Sequence, residues 1–230
     1  MVSVVIAAYN GEKYICEQLD SVLPQLGDGD EVIISDDNPG GGTYGAVEKY
    51  LSADSRVRYI KGPGKGVIKN FENAINASQG DHIFLCDQDD VWLDGKVSAV
   101  TDELKNGAAA VMHDAIVTDA ALNPVEQSFF ESRGSGTGFW KNVFKNSYIG
   151  CCMAFSKELK PCILPFPEKI PMHDQWIGLM AEKAGKVTLI NKPLIYYRRH
   201  EGAVTGKKTS FSQKLLWRVE IIKAVLRKQV

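Results

Sequence analysis

The sequence predicts an α/β domain with a mostly parallel central sheet flanked by helices. Three observations carry this. Over the first ninety residues, β-branched and apolar runs alternate with segments of helical spacing. Three of the runs stop at polar clusters, Tyr9-Asn10-Gly11, Asp36-Asp37-Asn38 and Asp87 to Asp90. The 230 residues, 44% hydrophobic and 24% charged, suit one large domain with its own core.

The elements follow in order. Val2 to Ala8 is a continuous apolar run, the pattern of a strand buried on both faces. Asn10-Gly11 breaks it, and Glu12 to Leu26 carries an apolar stripe at helical spacing. Gly27 to Asp30 is a turn, Glu31 to Ser35 a second strand, and Tyr44 to Leu51 a helix. Val57 to Ile60 is a short strand, Gly62 to Gly66 a loop, Val67 to Ala77 a helix, and Ile83 to Cys86 the strand that delivers the acids. In such a sheet, ligands bind beyond the carboxyl ends of the strands, so the three polar strand ends predict a composite nucleotide pocket. The first turn has no GxGxxG or GxxxxGK[ST] pattern, which weighs against a dinucleotide enzyme or a P-loop ATPase.

Leu85-Cys86-Asp87-Gln88-Asp89-Asp90-Val91-Trp92 is the most informative stretch. Three carboxylates at the edge of a core are costly unless a cation or hydrogen-bond donors compensate them. Oxygen ligands at this density suit Mg²⁺ or Mn²⁺, especially beside a diphosphate. The same residues also read as a solvated acidic turn that caps the next helix.

Composition narrows the partners. A formal net charge of -1 gives no basis for nucleic-acid binding. No apolar stretch is long enough to span a membrane, and the start lacks a basic n-region, so a cytoplasmic protein without a signal peptide is expected. The five cysteines include no CxxC pair and read as small core residues in a reducing compartment.

The second half is less regular. Ala109 to Val117 reads as a core strand that His113 and Asp114 interrupt at its end, with His113 a structural histidine. Gly134 to Gly138 reads as a flexible loop and a candidate lid, and Ile149 to Phe155 as strand-like. Asp174 opens a helix containing Trp176, Ile177, Leu179 and Met180, where an N-cap is the ordinary role for an aspartate. Val187 to Ile190 and Pro193 to Tyr196 precede Tyr197-Arg198-Arg199-His200, whose guanidiniums and imidazole are apt for a diphosphate.

Several segments follow one another in a specific order: Val4 to Gly11, Ile34-Ser35-Asp36-Asp37, Asn70-Phe71-Glu72, Gly80-Asp81, Asp87 to Trp92, Pro171 to Trp176, and Tyr197 to Gly206. In this order the chain resembles the inverting nucleotide-sugar glycosyltransferases with the A-type fold (the family-2 type), in particular their bacterial rhamnosyltransferase-like branch. The resemblance covers residues 1 to about 206. It implies a single Rossmann-like domain, with residues 1–100 binding the nucleotide sugar and 101–206 the acceptor.

By the same resemblance, the Ala7-Ala8-Tyr9 backbone lies along the base and ribose. Asp37, with Asp36 beside it, accepts a hydrogen bond from the base, and Asp87 reaches the ribose or a metal-bound water. Asp89 ligates Mg²⁺ or Mn²⁺, Asp90 points elsewhere, and Gly150 and Cys151 line the floor under the sugar. Asp174 is the catalytic base, and Arg198 and His200 hold the diphosphate, with His200 joining the metal shell. The implied partners are a nucleoside-diphosphate sugar donor and a glycan or lipid-linked acceptor in surface polysaccharide synthesis. The turn Asn38-Pro39-Gly40-Gly41-Gly42-Thr43 departs from the family's usual Ser/Thr-Asp-rich turn, and Ala203 stands where the branch often has Asn. A catalytically silent nucleotide-sugar or glycan-binding module of the same fold fits the same motifs. A Mg²⁺-dependent nucleotidyltransferase or phosphatase would use the acids alone, without a base at Asp174.

The tail differs from the rest. From Arg198 to Val230 there are nine Lys/Arg and two Asp/Glu, a balance of +7 against -8 for the preceding residues. Ser210 to Gln213 has capping-box spacing, and Leu215, Val219, Ile222 and Leu226 recur at helical intervals. Residues 207–230 therefore predict a basic amphipathic helix, which suits peripheral contact with an anionic membrane at the inner face of the cytoplasmic membrane. Docking on the domain or a dimer contact would use the same pattern.

Overall fold

The computed structural model describes residues 1–200 and 210–228. The segment beyond His200 that completes the Tyr197 to Gly206 motif, including Ala203, lies outside the described residues. One mixed sheet runs through the domain in the order β3-β2-β1-β4-β8-β6-β9-β5, with β7 paired to β6. The strands are β1 (Val2–Ala8), β2 (Glu31–Asp36), β3 (Val57–Lys61), β4 (His82–Asp87), β5 (Val91–Trp92), β6 (Ala108–Thr118), β7 (Pro124–Glu126), β8 (Met153–Ser156) and β9 (Lys186–Arg198). The helices are α1 (Ile15–Val22), α2 (Thr43–Ala53), α3 (Val67–Ala77), α4 (Lys96–Lys105), α5 (Phe129–Arg133), α6 (Phe139–Phe144), α7 (Lys160–Ile163), α8 (His173–Ala184) and α9 (Phe211–Arg227).

The expected parallel sheet is found in the first half, where β3, β2, β1 and β4 all run the same way. β1 lies between β2 and β4, and Val4, Val5 and Ile6 on its two faces are all fully buried, the apolar run expected of a strand covered on both faces. The second half is mixed: β8 runs antiparallel to both β4 and β6, while β6 and β9 are parallel.

Most elements match the sequence reading, and the differences have local causes. α1 is shorter than expected because Asn10 takes φ 51° and the Gly11 carbonyl accepts from the Tyr14 and Ile15 amides, delaying the first helical turn. Pro24 lacks the N–H that would extend the helix, and Leu23–Gln25 forms a 3₁₀ turn instead. His113 and Asp114 do not end β6. They lie in its middle, where the register against β9 shifts and the chain continues to Thr118. The same irregularity sets Pro193 opposite Asp114, so the two expected segments form the single strand β9.

α9 is capped as expected, Ser210 Oγ accepting from the Gln213 amide. It packs on the domain through Ile221 and Val225, which are buried. Leu215, Val219 and Leu226 of the expected apolar stripe remain exposed. Among the described residues, no helix is long and apolar enough to cross a membrane.

Candidate active site

The carboxyl ends of β1 and β4, the loops after β2 and β3, the first turn of α8 and the end of β9 enclose a cavity of about 560 Å³. That size suits a small-molecule site. Ala7, Ala8, Tyr9, Asp37, Asp87, Asp89, Asp174, Arg198 and His200 all line it. They come from positions up to 193 residues apart, and the sequence reading had named each of them.

One side is built by strand ends. Asn70, buried on α3, donates to the carbonyls of Ala8 (3.0 Å) and Ser35 (2.8 Å) and so ties β1 to β2 at the rim. Gln88 clasps Tyr9 in both directions, accepting from its amide at 2.9 Å and donating to its carbonyl at 3.0 Å. The phenol ring of Tyr9 is left exposed. Asp37 accepts from the amides of Gly64 (2.8 Å) and Gly66 (2.6 Å). Both glycines have positive φ, which turns their amides toward the carboxylate.

Asp36 does not belong to this cavity. β2 runs one residue further than expected and Asp36 is still within it, paired in register with Ala8 and Lys61. Its buried carboxylate accepts from the Tyr59 hydroxyl (2.7 Å) and the Asn38 amide (3.0 Å). The expected nucleotide contact at Asp36 is therefore replaced by a brace behind the pocket.

The acid cluster divides by role. Asp89 Oδ2 lies 2.8 Å from His200 Nε2 in the cavity. Asp87 ends β4 with its carboxyl raised well above the usual range, by burial first and then by the charges of Asp90, Asp89 and Asp174. Asp90 is buried and pushed up to about 7 by burial and by Asp89. It does not cap α4, whose N-cap is Gly95; its Oδ1 accepts from the Arg198 amide at 2.9 Å. Beneath the cluster lies Lys96, a buried ammonium that donates to the Cys151 carbonyl (2.8 Å) and sits 3.9 Å above the Trp92 ring.

Arg198 is a brace and not an open diphosphate fork. Its guanidinium donates to the carbonyls of Asp89 (2.7 Å) and Ala120 (2.8 Å), pairs with Glu17, and stacks over Tyr14 at 4.6 Å. Burial at the end of β9 commits it to holding the Asp89-Asp90 turn. His200, two residues on, faces the cavity.

The model of glycosyl transferase family 2 matches residues 3–163. The chain belongs to this family. Among curated relatives, the dTDP-rhamnosyl transferase RfbG of Shigella flexneri is 27% identical over 91% of this chain and 76% of its own. The UDP-Glc:alpha-D-GlcNAc-diphosphoundecaprenol beta-1,3-glucosyltransferase WfaP of Escherichia coli is 26% identical over 90% of this chain and 81% of its own. The Staphylococcus aureus TarS structure with UDP-GlcNAc superposes with a TM-score of 0.76, covering 100% of this chain and 67% of that one at 19% identity. A mannosyltransferase from Pyrobaculum calidifontis, solved with GDP-Man and Mn²⁺, gives a TM-score of 0.67, covering 100% of this chain and 65% of that one at 18% identity. The protein is an inverting glycosyltransferase of the A-type fold.

In this glycosyltransferase Asp174 stands in the first turn of α8, after an N-cap at Met172 that supplies no side-chain cap. It is thus not an N-cap. Its Oδ1 accepts from the Gln175 amide (2.5 Å) and from Asn146 Nδ2 (3.3 Å). Burial pushes its carboxyl up to about 7. His173 stacks on Phe71 at 4.1 Å, both its ring nitrogens lack hydrogen-bond partners, and burial holds its pKa down at about 3. It packs and does not orient Asp174. Gly150, also in the lining, faces the His173 ring so closely that an added Cβ would lie 2.7 Å from Nε2. Cys151 is buried below that floor. The expected lid is pinned away from the cavity, the Gly138 amide donating to Glu182 (2.5 Å) and the Gly136 amide to Ser147 Oγ (3.2 Å).

The donor set suits a hard divalent cation. Asp89 Oδ2 and His200 Nε2 offer oxygen and nitrogen side by side in the cavity, and the carboxyls of Asp87 and Asp90 next to them are raised by burial and by the neighbouring acids, which a cation would relieve. A second group, Asp87, Asp90 and Cys151, has ligand atoms within 4.8 Å of one another. The Cys151 thiol, raised by Cys152 and by burial, stays protonated and is a soft donor, so this group matches Mg²⁺ or Mn²⁺ poorly.

Proposed function

We propose that this glycosyltransferase is cation-dependent and moves a hexose, in rhamnosyltransferase-like fashion, from a nucleoside diphosphate to a glycan or lipid-linked acceptor. The setting is assembly of a bacterial capsule or lipopolysaccharide at the inner face of the cytoplasmic membrane. The carrying observation is that Asp174, with its carboxyl near 7, shares one cavity with the Asp89–His200 pair. The name of WfaP supports the acceptor class, and the names of RfbG and WfaP together with the bound ligands of the TarS and mannosyltransferase structures support the donor class.

The donor's base and ribose lie along Ala7-Ala8-Tyr9, where Asp37 accepts an N–H of the base and Asp87 reaches the ribose. Asp89 and His200 would hold Mg²⁺ or Mn²⁺, which when bound neutralises charge on the leaving diphosphate. Asp174 takes the proton of the acceptor hydroxyl while that oxygen bonds to the anomeric carbon. The bond to the diphosphate breaks on the opposite face, so configuration inverts. A carboxyl near 7 serves this step well, because a base works best with a pKa close to the working pH. Asn146 and the Gln175 amide fix its orientation.

Asp174→Asn tests the assignment. Transfer should fall about 10²-fold or more while donor and Mn²⁺ affinity, measured by calorimetry, stay nearly unchanged. A variant that unfolds at lower temperature yet keeps its specific rate would make Asp174 structural.

A further inference from the structure

Of ten large hydrophobic side chains exposed among the described residues, six lie on α6 and α9. Trp140 and Phe144 are 63% and 59% exposed and stand one turn apart on α6. On α9, Leu215, Val219 and Leu226 are 52%, 41% and 77% exposed, although the helix already buries Ile221 and Val225 against the domain. The two sets adjoin at Arg218, whose guanidinium donates to the Phe144 carbonyl (2.8 Å) and lies 5.7 Å from the Phe144 ring centre.

We propose that α6 and α9 jointly form the surface on which the protein rests on an anionic bilayer, with Trp140 and Phe144 entering the interface beside the Leu215–Val219–Leu226 stripe. The idea rests on the reading of a lipid-linked acceptor and names the surface that would present it. Charge selects the occupant. Lys141 and Lys145 flank the aromatic pair, while Lys214, Lys223 and Arg227 flank the stripe. Exposed aromatic rings and leucines bordered by lysine and arginine match the headgroup boundary of an anionic membrane. A second copy of the chain, related by a two-fold axis, would bring these same cations face to face.

Position supports the same assignment. Asn146, two residues beyond Phe144, donates to Asp174, so the surface leads directly to the carboxylate that would meet the acceptor hydroxyl. The sequence reading had placed the membrane contact on the C-terminal helix alone. The structure adds α6 and shows which side of α9 is covered.

The test is sedimentation of the full chain with phosphatidylglycerol-containing vesicles and with pure phosphatidylcholine vesicles, at low and high salt. Binding should require the anionic lipid and fade as salt rises. The double variant Trp140→Ser/Phe144→Ser should bind at least about tenfold more weakly, with nucleotide affinity unchanged. Should that variant misfold by circular dichroism, Leu215→Ser/Leu226→Ser on the exposed stripe replaces it with the same expectation. Undiminished vesicle binding by a folded variant overturns the proposal. So does indifference to anionic vesicles, or a dimer in analytical ultracentrifugation that the same substitutions dissolve. Donor hydrolysis is followed separately: an enzyme that turns over donor but ignores vesicles refutes the surface and leaves the catalytic reading standing.

Discussion

The two halves of the molecule build one cavity by different means. Up to β4, each contribution sits at the end of a parallel strand or in the loop that follows it, and hydrogen bonds such as those of Asn70 and Gln88 join neighbouring strand ends. From β6 onward, the contributions come from a helix start and from the end of a long bulged strand. There the decisive contacts reach far along the chain: the Arg198 amide to Asp90 and its guanidinium to Asp89. A parallel sheet thus makes the first side of the cavity almost automatically, whereas the second side depends on a few buried polar links. Damage to those links should be costly out of proportion to their number.

The largest effect is expected where the halves meet. Asp89→Asn keeps the shape but removes a charge, and should lower transfer by on the order of 10³-fold, since a bound cation contributes several kcal/mol. Mn²⁺ titration should show weakened binding, and EDTA should silence the unaltered enzyme. Equal activity with and without EDTA would end the metal reading.

Arg198→Met comes next. It strips a buried guanidinium from two carbonyls and Glu17, and should cost about 3 kcal/mol in denaturant unfolding. Cation affinity should fall with it, because the Asp89-Asp90 turn loses its brace. A variant of normal stability that lost only diphosphate affinity would restore the fork reading of Arg198.

The two aspartates at the end of β2 separate the roles more finely. Asp37→Asn should weaken donor binding about tenfold, in line with the loss of one charge-assisted hydrogen bond. Asp36→Asn should leave donor affinity alone and lower stability by about 1–3 kcal/mol. The reverse pattern would return Asp36 to the pocket.

The smallest effect is graded. With Asp174 at about 7, transfer should rise with pH up to neutrality and lose close to tenfold per unit below it. The sign for stability is the reverse of the usual carboxylate. Its folded pKa lies above the ordinary value of 3.8, so the native state holds the proton between the two values. The group's contribution to stability therefore declines as pH rises through that window, and Asp174→Asn should flatten this slope in urea titrations.

Legibility in the sequence follows the same division. β1, β2, β3, β4 and α3 could be placed from apolar runs, helical spacing and glycine breaks, most sharply β1, β2 and β4, where burial on both faces leaves little choice of residue. Tyr9, Asp87 and Asp89 stood in the polar strand ends that mark the rim, whereas Ala7 and the individual roles came from the resemblance. Asp36 was misplaced by one residue of strand length, the scale at which strand ends are uncertain and side-chain faces reverse. β6 could not be bounded, because a histidine and an aspartate inside a strand look like its end unless the bulge is known. Gln88 and Lys96 went unnoticed as supports: an amide clasping a backbone and an ammonium beneath an acid cluster carry no local pattern. Only the crowding of three acids directly after the apolar run Ile83 to Cys86 hinted that a cation or hydrogen-bond donors must compensate them. The function of Asp174 came from resemblance, as its position by itself pointed to helix capping.

The Arg198 links to Asp89 and Asp90 span 109 and 108 residues, and they belong to the last residue of the last strand described. A chain stopped short of that strand would already contain β1 to β4 and the Gln88–Tyr9 clasp, yet its Asp89-Asp90 turn would lack the Arg198 brace. During synthesis from the amino end, the rim formed by β1, β2 and β4 thus emerges long before the Asp89-Asp90 turn is seated. Closing so long a loop carries an entropic cost that must be met before the turn is fixed. The Asp89-Asp90 turn is thus among the last parts of the cavity to be fixed, although it lies in the first half of the chain.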